Sequence, residues 1–175
     1  MTMNRQLLTA FALALGCISA HAGLLTDDQP PAELQETAVQ LPAPPAMDKL
    51  LKYDVGPTAR MEFAVDPRSV SVSDGVIVRF TSVIRSPAGA TNVLHEGIRC
   101  DTLEKKVYAT GRADGSWATA TNAAWSPVGM AGTNRYHAAL AADYFCDGGL
   151  VAGSAERMVQ RLRRRTPIPH PGMLR

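Results

Sequence analysis

The clearest signal along the chain is period-two alternation in its middle third. Met61, Phe63 and Val65 alternate with Arg60, Glu62 and Ala64, and Val70 and Val72 alternate with Ser69, Ser71 and Ser73. This is the pattern of strands that bury one face. Asp74-Gly75 reads as a hairpin turn, because glycine takes the positive φ that such turns require. Residues 76–84 are the most β-branched stretch and predict a further strand. Ser86-Pro87-Ala88-Gly89 turns the chain into a strand through Val93, Leu94 and Ile98 to Cys100, with Gly97 expected at a bulge. After a turn at 101–104, residues 105–110 predict another strand, closed by Ala113-Asp114-Gly115. Short successive connections make this an antiparallel meander of about five to six strands.

Beyond Trp117 the texture changes. Residues 118–132 are small, polar and glycine-containing, a long loop that Trp125 is expected to pin. Thr133 is placed to cap a helix in which Tyr136, Leu140 and Tyr144 recur every four residues, and Asp147-Gly148-Gly149 ends it. The apolar stripe of this helix should lie on the sheet. The predicted class is therefore α+β, an antiparallel sheet with a C-terminal helix packed on it. Residues 154–165 are also helix-competent, with Met158, Val159 and Leu162 on one side, ahead of a Pro-rich coil at 166–171.

Composition narrows the class without naming an activity. The 175 residues are 46% hydrophobic and 19% charged with net charge +2, which suits one globular body. Aromatics are only 6%, so aliphatic residues must fill the core. No apolar run is long enough for a membrane span in the mature chain, and no stretch repeats. Residues 1–22 read as a cleaved secretory signal: a basic start, an apolar run, and Ala20-His21-Ala22 supplying small residues at the cleavage site. Ala14-Leu15-Gly16-Cys17 also has the outline of a lipobox, so lipidation at Cys17 stands as the alternative to the preferred cleavage after Ala22. The expected address is the periplasm or the outer membrane.

Residues 23–48 carry Pro30, Pro31, Pro42, Pro44 and Pro45 with acids and no basic residue, and read as an extended acidic spacer, with a short helix over 32–39 as an option. The folded domain is then 49–147, followed by a basic, Pro-containing tail at 148–175. Once Cys17 is removed or lipidated, Cys100 and Cys146 remain. Two thiols in an oxidising compartment predict one disulfide, closing a loop of about 46 residues and contributing about 4 kcal/mol in the chain-entropy picture. In the tail, Arg157, Arg161, Arg163, Arg164, Arg165 and Arg175 face only Glu156, while the mature chain before it is net acidic. Such a tail either attaches to an anionic surface or is simply solvated, and its deletion is expected to leave the fold intact. Nucleic acid is not an expected partner, since export separates the two and no aromatics interleave the arginines.

Candidate chemistry is sparse. His95 and His137 are the proton-transfer candidates of the expected domain, and no nucleophile elbow, zincin helix, P-loop or metal-spaced Cys/His set occurs. No cofactor or metal is therefore expected. His95 and Glu96 adjoin on a strand and must point to opposite faces. Arg99, Arg112 and Arg135 can meet Asp66, Glu96 and Asp114, either as salt bridges that order loops or as an anion-binding cluster. Asp66, Pro67, Glu96, Gly97, Trp117, Trp125, Tyr136 and Tyr144 are expected in structural roles.

Several motifs carry a resemblance. Tyr53-Asp54-Val55-Gly56-Pro57, the run 63–72 around Asp66-Pro67-Arg68, Glu96-Gly97-Ile98-Arg99-Cys100, the run 111–117 ending in Trp117, and Asn134-Arg135-Tyr136-His137 through Asp143-Tyr144-Phe145-Cys146 resemble the cryptic neisserial protein family over residues 49–146. That likeness implies a secreted protein of Gram-negative bacteria and no catalytic residue. The order strand, Cys, helix, Cys is also similar to the surface-adhesin protein E family, in which a sheet carries a disulfide-tethered helix. The expectation is a non-enzymatic envelope module that binds an envelope protein or component, with a hydrolase of envelope polymers as the alternative.

Overall fold

The computed structural model describes residues 34–129 and 135–169. The expected signal peptide with Cys17, the residues up to 33, Thr133, Asn134 and the chain from His170 onward lie outside the described residues. The body begins at Gln35.

Nine strands and two helices make up the described fold. The meander is β1 (Leu51–Lys52), β2 (Glu62–Ser73), β3 (Ile77–Arg85), β4 (Thr91–Arg99), β5 (Glu104–Gly111) and β6 (Trp117–Thr119), each antiparallel to the next in that spatial order. The short β7 (Ser126–Pro127) adds to β5 beyond the long loop. Asp74 and Gly75 both take positive φ, 53° and 71°, in the turn from β2 to β3. The two alternating runs either side of Pro67 are one strand, β2, interrupted by a register shift between Asp66 and Ser71. Proline has no N–H for a ladder, so the interruption is where it belongs. Ser69 bridges it: its hydroxyl accepts from Thr81 N–H and donates to the Asp66 carbonyl.

The bulge expected at Gly97 lies on the neighbouring strand. His95 pairs with Ala109 and Glu96 with Val107, which leaves Tyr108 of β5 as the extra residue. Gly97 answers a different need. A Cβ there would stand 2.7 Å from Tyr108 Oη, so the tyrosine ring can cross β4 only over a glycine.

The core lies on one side of the sheet. Phe63, Val65, Val78, Phe80, Ile84 and Ile98 face Tyr136, Leu140, Tyr144 and Phe145. α1 (Arg135–Leu140) is short and passes directly into a π-helical turn, Ala141–Phe145. The wider turn brings Tyr144 and Phe145 both inward, so the spacing of Tyr136, Leu140 and Tyr144 marks the buried side correctly although the helix is not regular α throughout. Phe63 stacks on Tyr136 at 5.2 Å, and Phe80 meets Phe145 at 5.1 Å. Cys146 then starts β8 (Cys146–Asp147), which returns through Gly148 and Gly149, both at positive φ, into β9 (Leu150–Val151). The expected disulfide joins Cys100 to Cys146, Cα to Cα 5.4 Å, tying the end of β4 to the end of the π turn.

Two boundaries differ from expectation. The acidic segment from Gln35 is not a spacer but an extended arm lying on the outer side of the sheet. Trp117 Nε1 donates to the Pro42 carbonyl at 2.8 Å, and Arg68 Nη2 to the Pro44 carbonyl at 3.2 Å. No helix forms over the described part of 32–39. The basic segment is not a loose tail either. It folds as α2 (Ala155–Arg164), capped by Ser154 and ended by Arg165 in the left-handed region. Met158 and Leu162, four apart, enter the common core. Ile168 follows, buried, with its N–H on the Asp143 carbonyl at 2.7 Å.

Deleting residues from 154 onward is therefore expected to unfold the domain rather than spare it. Met158→Ala and Leu162→Ala should each lower unfolding free energy by about 2–5 kcal/mol in urea titrations, against about 0.5 kcal/mol or less for the exposed Arg163→Ala. Replacing Cys100 and Cys146 together by serine should lower it by about 2–5 kcal/mol, with the loss vanishing when wild type is measured in reductant.

Candidate functional site

The arginines expected to converge do not. Arg99 forms a bidentate pair with Asp101, Nε to Oδ1 2.8 Å and Nη2 to Oδ2 3.0 Å, and reaches Glu104 at 3.9 Å. The pair holds the Asp101 carboxyl below the usual carboxylate range. Arg112 stays in its own turn, donating to Ser116 Oγ and to the Trp117 carbonyl, while Asp114 accepts from Ser116. Asp66 is buried and pairs with Arg68 at 3.1 Å. Arg135 lies apart from all of these, its guanidinium over Gly56: a Cβ there would stand 3.0 Å from Nη2.

His95 and Glu96 do point to opposite faces. Glu96, fully buried on the core side, accepts from Ser82 Oγ, from Tyr136 Oη at 2.9 Å, and lies 2.8 Å from His137 Nε2. Burial, followed by the Glu96 charge and hydrogen bond, pushes the Tyr136 hydroxyl pKa far up, so Tyr136 remains a donor. His137 and Glu96 are 2% and 0% exposed. This histidine–carboxylate pair is sealed beneath α1.

On the outer side, Glu36 of the arm is met by three donors. Lys106 Nζ reaches Oε2 at 2.8 Å, Arg79 Nη2 reaches Oε1 at 3.1 Å, and Tyr108 Oη donates to Oε1. Burial acts to raise the Glu36 pKa, but the bonds from Lys106 and Tyr108, the Lys106 charge and the Arg79 bond outweigh it and hold the carboxyl below its usual value. Thr37 is fixed to Asp74 through both its N–H and its hydroxyl. Lys106 also stands 5.4 Å from the ring centroids of Tyr108 and Trp125, which brings the Trp125 ring against β5. None of Glu36, Arg79, Lys106 and Tyr108 stood out in the sequence. One signal was present: Arg79 lies in the middle of the most β-branched segment, and a charge there needs a partner.

Arg135 belongs to a groove of about 1150 Å³ where the π turn, β1 and the coil after α2 meet. Its apolar floor is Tyr53, Val55, Ala138, Tyr144 and Ile168. Lys52, Arg135 and Arg165 bring positive charge to it, with Asp54 and Asp143 also at the lining. Lys52 is paired with Glu62, whereas neither Arg135 nor Arg165 forms a salt bridge among the described residues. Burial, with Asp143 and Asp54 adding and Arg165 opposing, raises the Tyr144 pKa, so that phenol is a neutral hydrogen-bonding group. Among the described residues no three His, Cys, Asp or Glu side chains are grouped to hold a metal, and no helix is long and apolar enough to cross a membrane.

His95 gives the outer face a pH dependence. It lies against Thr81, Tyr108 and Trp117, and its pKa is lowered to about 4 by burial first and the Arg79 charge second, with Glu96 opposing. The unfolded chain, near 6.5, takes up the proton earlier. Stability from neutral His95 is thus full above pH 6.5 and is lost as pH falls toward 4, a total of roughly 3 kcal/mol. Urea titrations of His95→Gln across that window should show a shallower acid loss than wild type, even though the variant starts lower.

Two comparisons with known proteins return nothing: no curated protein and no solved structure matches the chain. The third places it. Residues 29–163 match the CNP1-like family, a span that takes in the arm, the whole sheet, the disulfide and nearly all of α2. The family pattern thus runs through both the arm and α2, and the chain belongs to the CNP1-like family.

Proposed function

We propose that this protein is an exported, non-enzymatic binding module that holds an anionic amphiphile of the cell envelope, with the groove at Arg135 and Arg165 as its site. The groove carries this reading, because an apolar floor beside two guanidiniums without a salt bridge among the described residues suits an acyl or other apolar chain headed by phosphate or carboxylate. α2 carries further exposed arginines, Arg157, Arg163 and Arg164. Arg161 is otherwise engaged, donating to the Ala152 carbonyl at 2.6 Å. The export signal read at residues 1–22, with cleavage after Ala22 preferred to lipidation at Cys17, the motif likeness to the cryptic neisserial family and the architectural likeness to the surface-adhesin protein E family support an envelope location. For the alternative, a hydrolase of envelope polymers, the His137–Glu96 pair gives little support, since both side chains are buried.

Co-sedimentation of the mature chain with vesicles tests the reading. Binding should be clear to vesicles containing phosphatidylglycerol, absent with phosphatidylcholine alone, and weakened by salt. Reversing Arg135 and Arg165 to Glu should weaken it by about tenfold or more at low salt, since each lost basic contact is worth about 1 kcal/mol. Equal binding by wild type and the reversed variant would rule the groove out as the site.

A further inference from the structure

The carboxylate held on the outer face of the sheet is a second site, on the side away from the core. Arg79 projects from β3 with its side chain 8% exposed, and Lys106 and Tyr108 approach it from β5. Gly97 of β4 lets the Tyr108 ring cross between them. Three donors of different kinds, charged and neutral, surround one carboxylate that is 12% exposed. A segment of the same chain supplies that carboxylate.

That segment occupies the site incompletely. Arg79 Nη2 is shared among Glu36 Oε1, the Thr37 carbonyl and, at 3.7 Å, Asp74 Oδ2, while Arg79 Nε is buried and has no hydrogen-bond partner among the described residues. The side-on bidentate pairing that a guanidinium offers a carboxylate through Nε and Nη2 is thus left half made. Elsewhere the arm is held by hydrogen bonds at Thr37, Pro42 and Pro44 rather than by burial. No residue from 35 to 48 is fully buried, and the segment forms no strand with the sheet it covers.

We propose that Arg79, Lys106 and Tyr108 form a recognition site for a glutamyl side chain on an extended peptide, filled in this structure by Glu36 and open to a competing segment that completes the Arg79 pairing. Asp74 adds a preference for Thr or Ser next to the Glu, through the bonds it accepts from Thr37. The site is independent of the groove at Arg135, which lies among β1, the π turn and the C-terminal coil.

The probe is a fluorescein-labelled peptide of residues 34–45, measured by anisotropy against the full mature chain. Glu36→Ala empties the site and should bind the peptide at least tenfold more tightly than wild type, whose own arm competes. The same variant should bind a peptide with Gln in place of Glu at least tenfold more weakly. Adding Lys106→Gln should erase that discrimination. If the alanine variant loses its native circular dichroism, Glu36→Gln takes its place and keeps the side-chain shape. Equal affinity of wild type and variant, or of the Glu and Gln peptides, overturns the proposal. Light scattering on mixtures of wild type and the Glu36→Ala chain separates the sources: a mixed dimer assigns the natural ligand to a second copy's arm, and monomers that still bind peptide assign it to another protein.

Discussion

β3 has no exposed position from Ile77 to Ile84, and that burial governs the rest of the architecture. A strand pairs its backbone with β2 and β4, but its two rows of side chains need a cover each. One row, Val78, Phe80 and Ile84, is covered by α1, the π turn and α2. The other, with Arg79 and Thr81, is covered by the arm and by the Trp117 and Trp125 segments. The domain is therefore three layers deep with a thin third layer. The disulfide fastens the thick cover to the sheet at Cys100, whereas hydrogen bonds and the Glu36 ion pairs hold the arm of the thin one.

The two rows differ in polar chemistry as well as depth, and this fixes the register. Ser82 and Glu96 face the helices and satisfy each other together with Tyr136 and His137. Arg79, Thr81 and His95 face the arm and find their partners there or across the strands. A slip of one residue in β3 would drive Arg79 into the core and turn Phe80 outward, leaving a charge unpaired and a carboxylate without its serine. Buried polar groups on both sides thus specify one alignment. They also separate His95 from Glu96, which rules out any local dyad even though the two residues are adjacent in sequence.

The meander was legible because each strand has its own alternation and each connection carries its turn residues, as at Asp74-Gly75 and Pro87. The disulfide was legible from the count of cysteines once Cys17 is read as part of the export signal. What escaped were the elements whose stability comes from partners distant in sequence. The arm has no period and is rich in proline, the composition of a linker, and only Arg79 and Lys106 on the far side of the sheet give Glu36 its place. In α2, Met158 and Leu162 have correct helical spacing, but the surrounding arginines read as a solvated tail. Long arginine side chains can ring a narrow apolar stripe without exposing it, so charge density is a poor guide to docking. The groove escaped for a related reason: Tyr53, Arg135 and Ile168 come from three separate segments, and nothing local joins them.

Docking of α2 has a consequence for the groove beyond stability. Arg165 takes a left-handed backbone conformation at the helix end, and the chain then turns so that Ile168 seals against the π turn. The basic residues are thus carried on a capped helix, clamped by Met158 and Leu162 at one end and by Ile168 at the other. A free basic tail would lose conformational freedom on meeting a surface, and that loss offsets part of the attraction. A fixed backbone has already lost it during folding, so only the arginine side chains remain to be ordered. The hydrophobic contacts that make residues 154–169 part of the domain are therefore also what place Arg165 at the groove, and fold and groove cannot be separated by removing the segment.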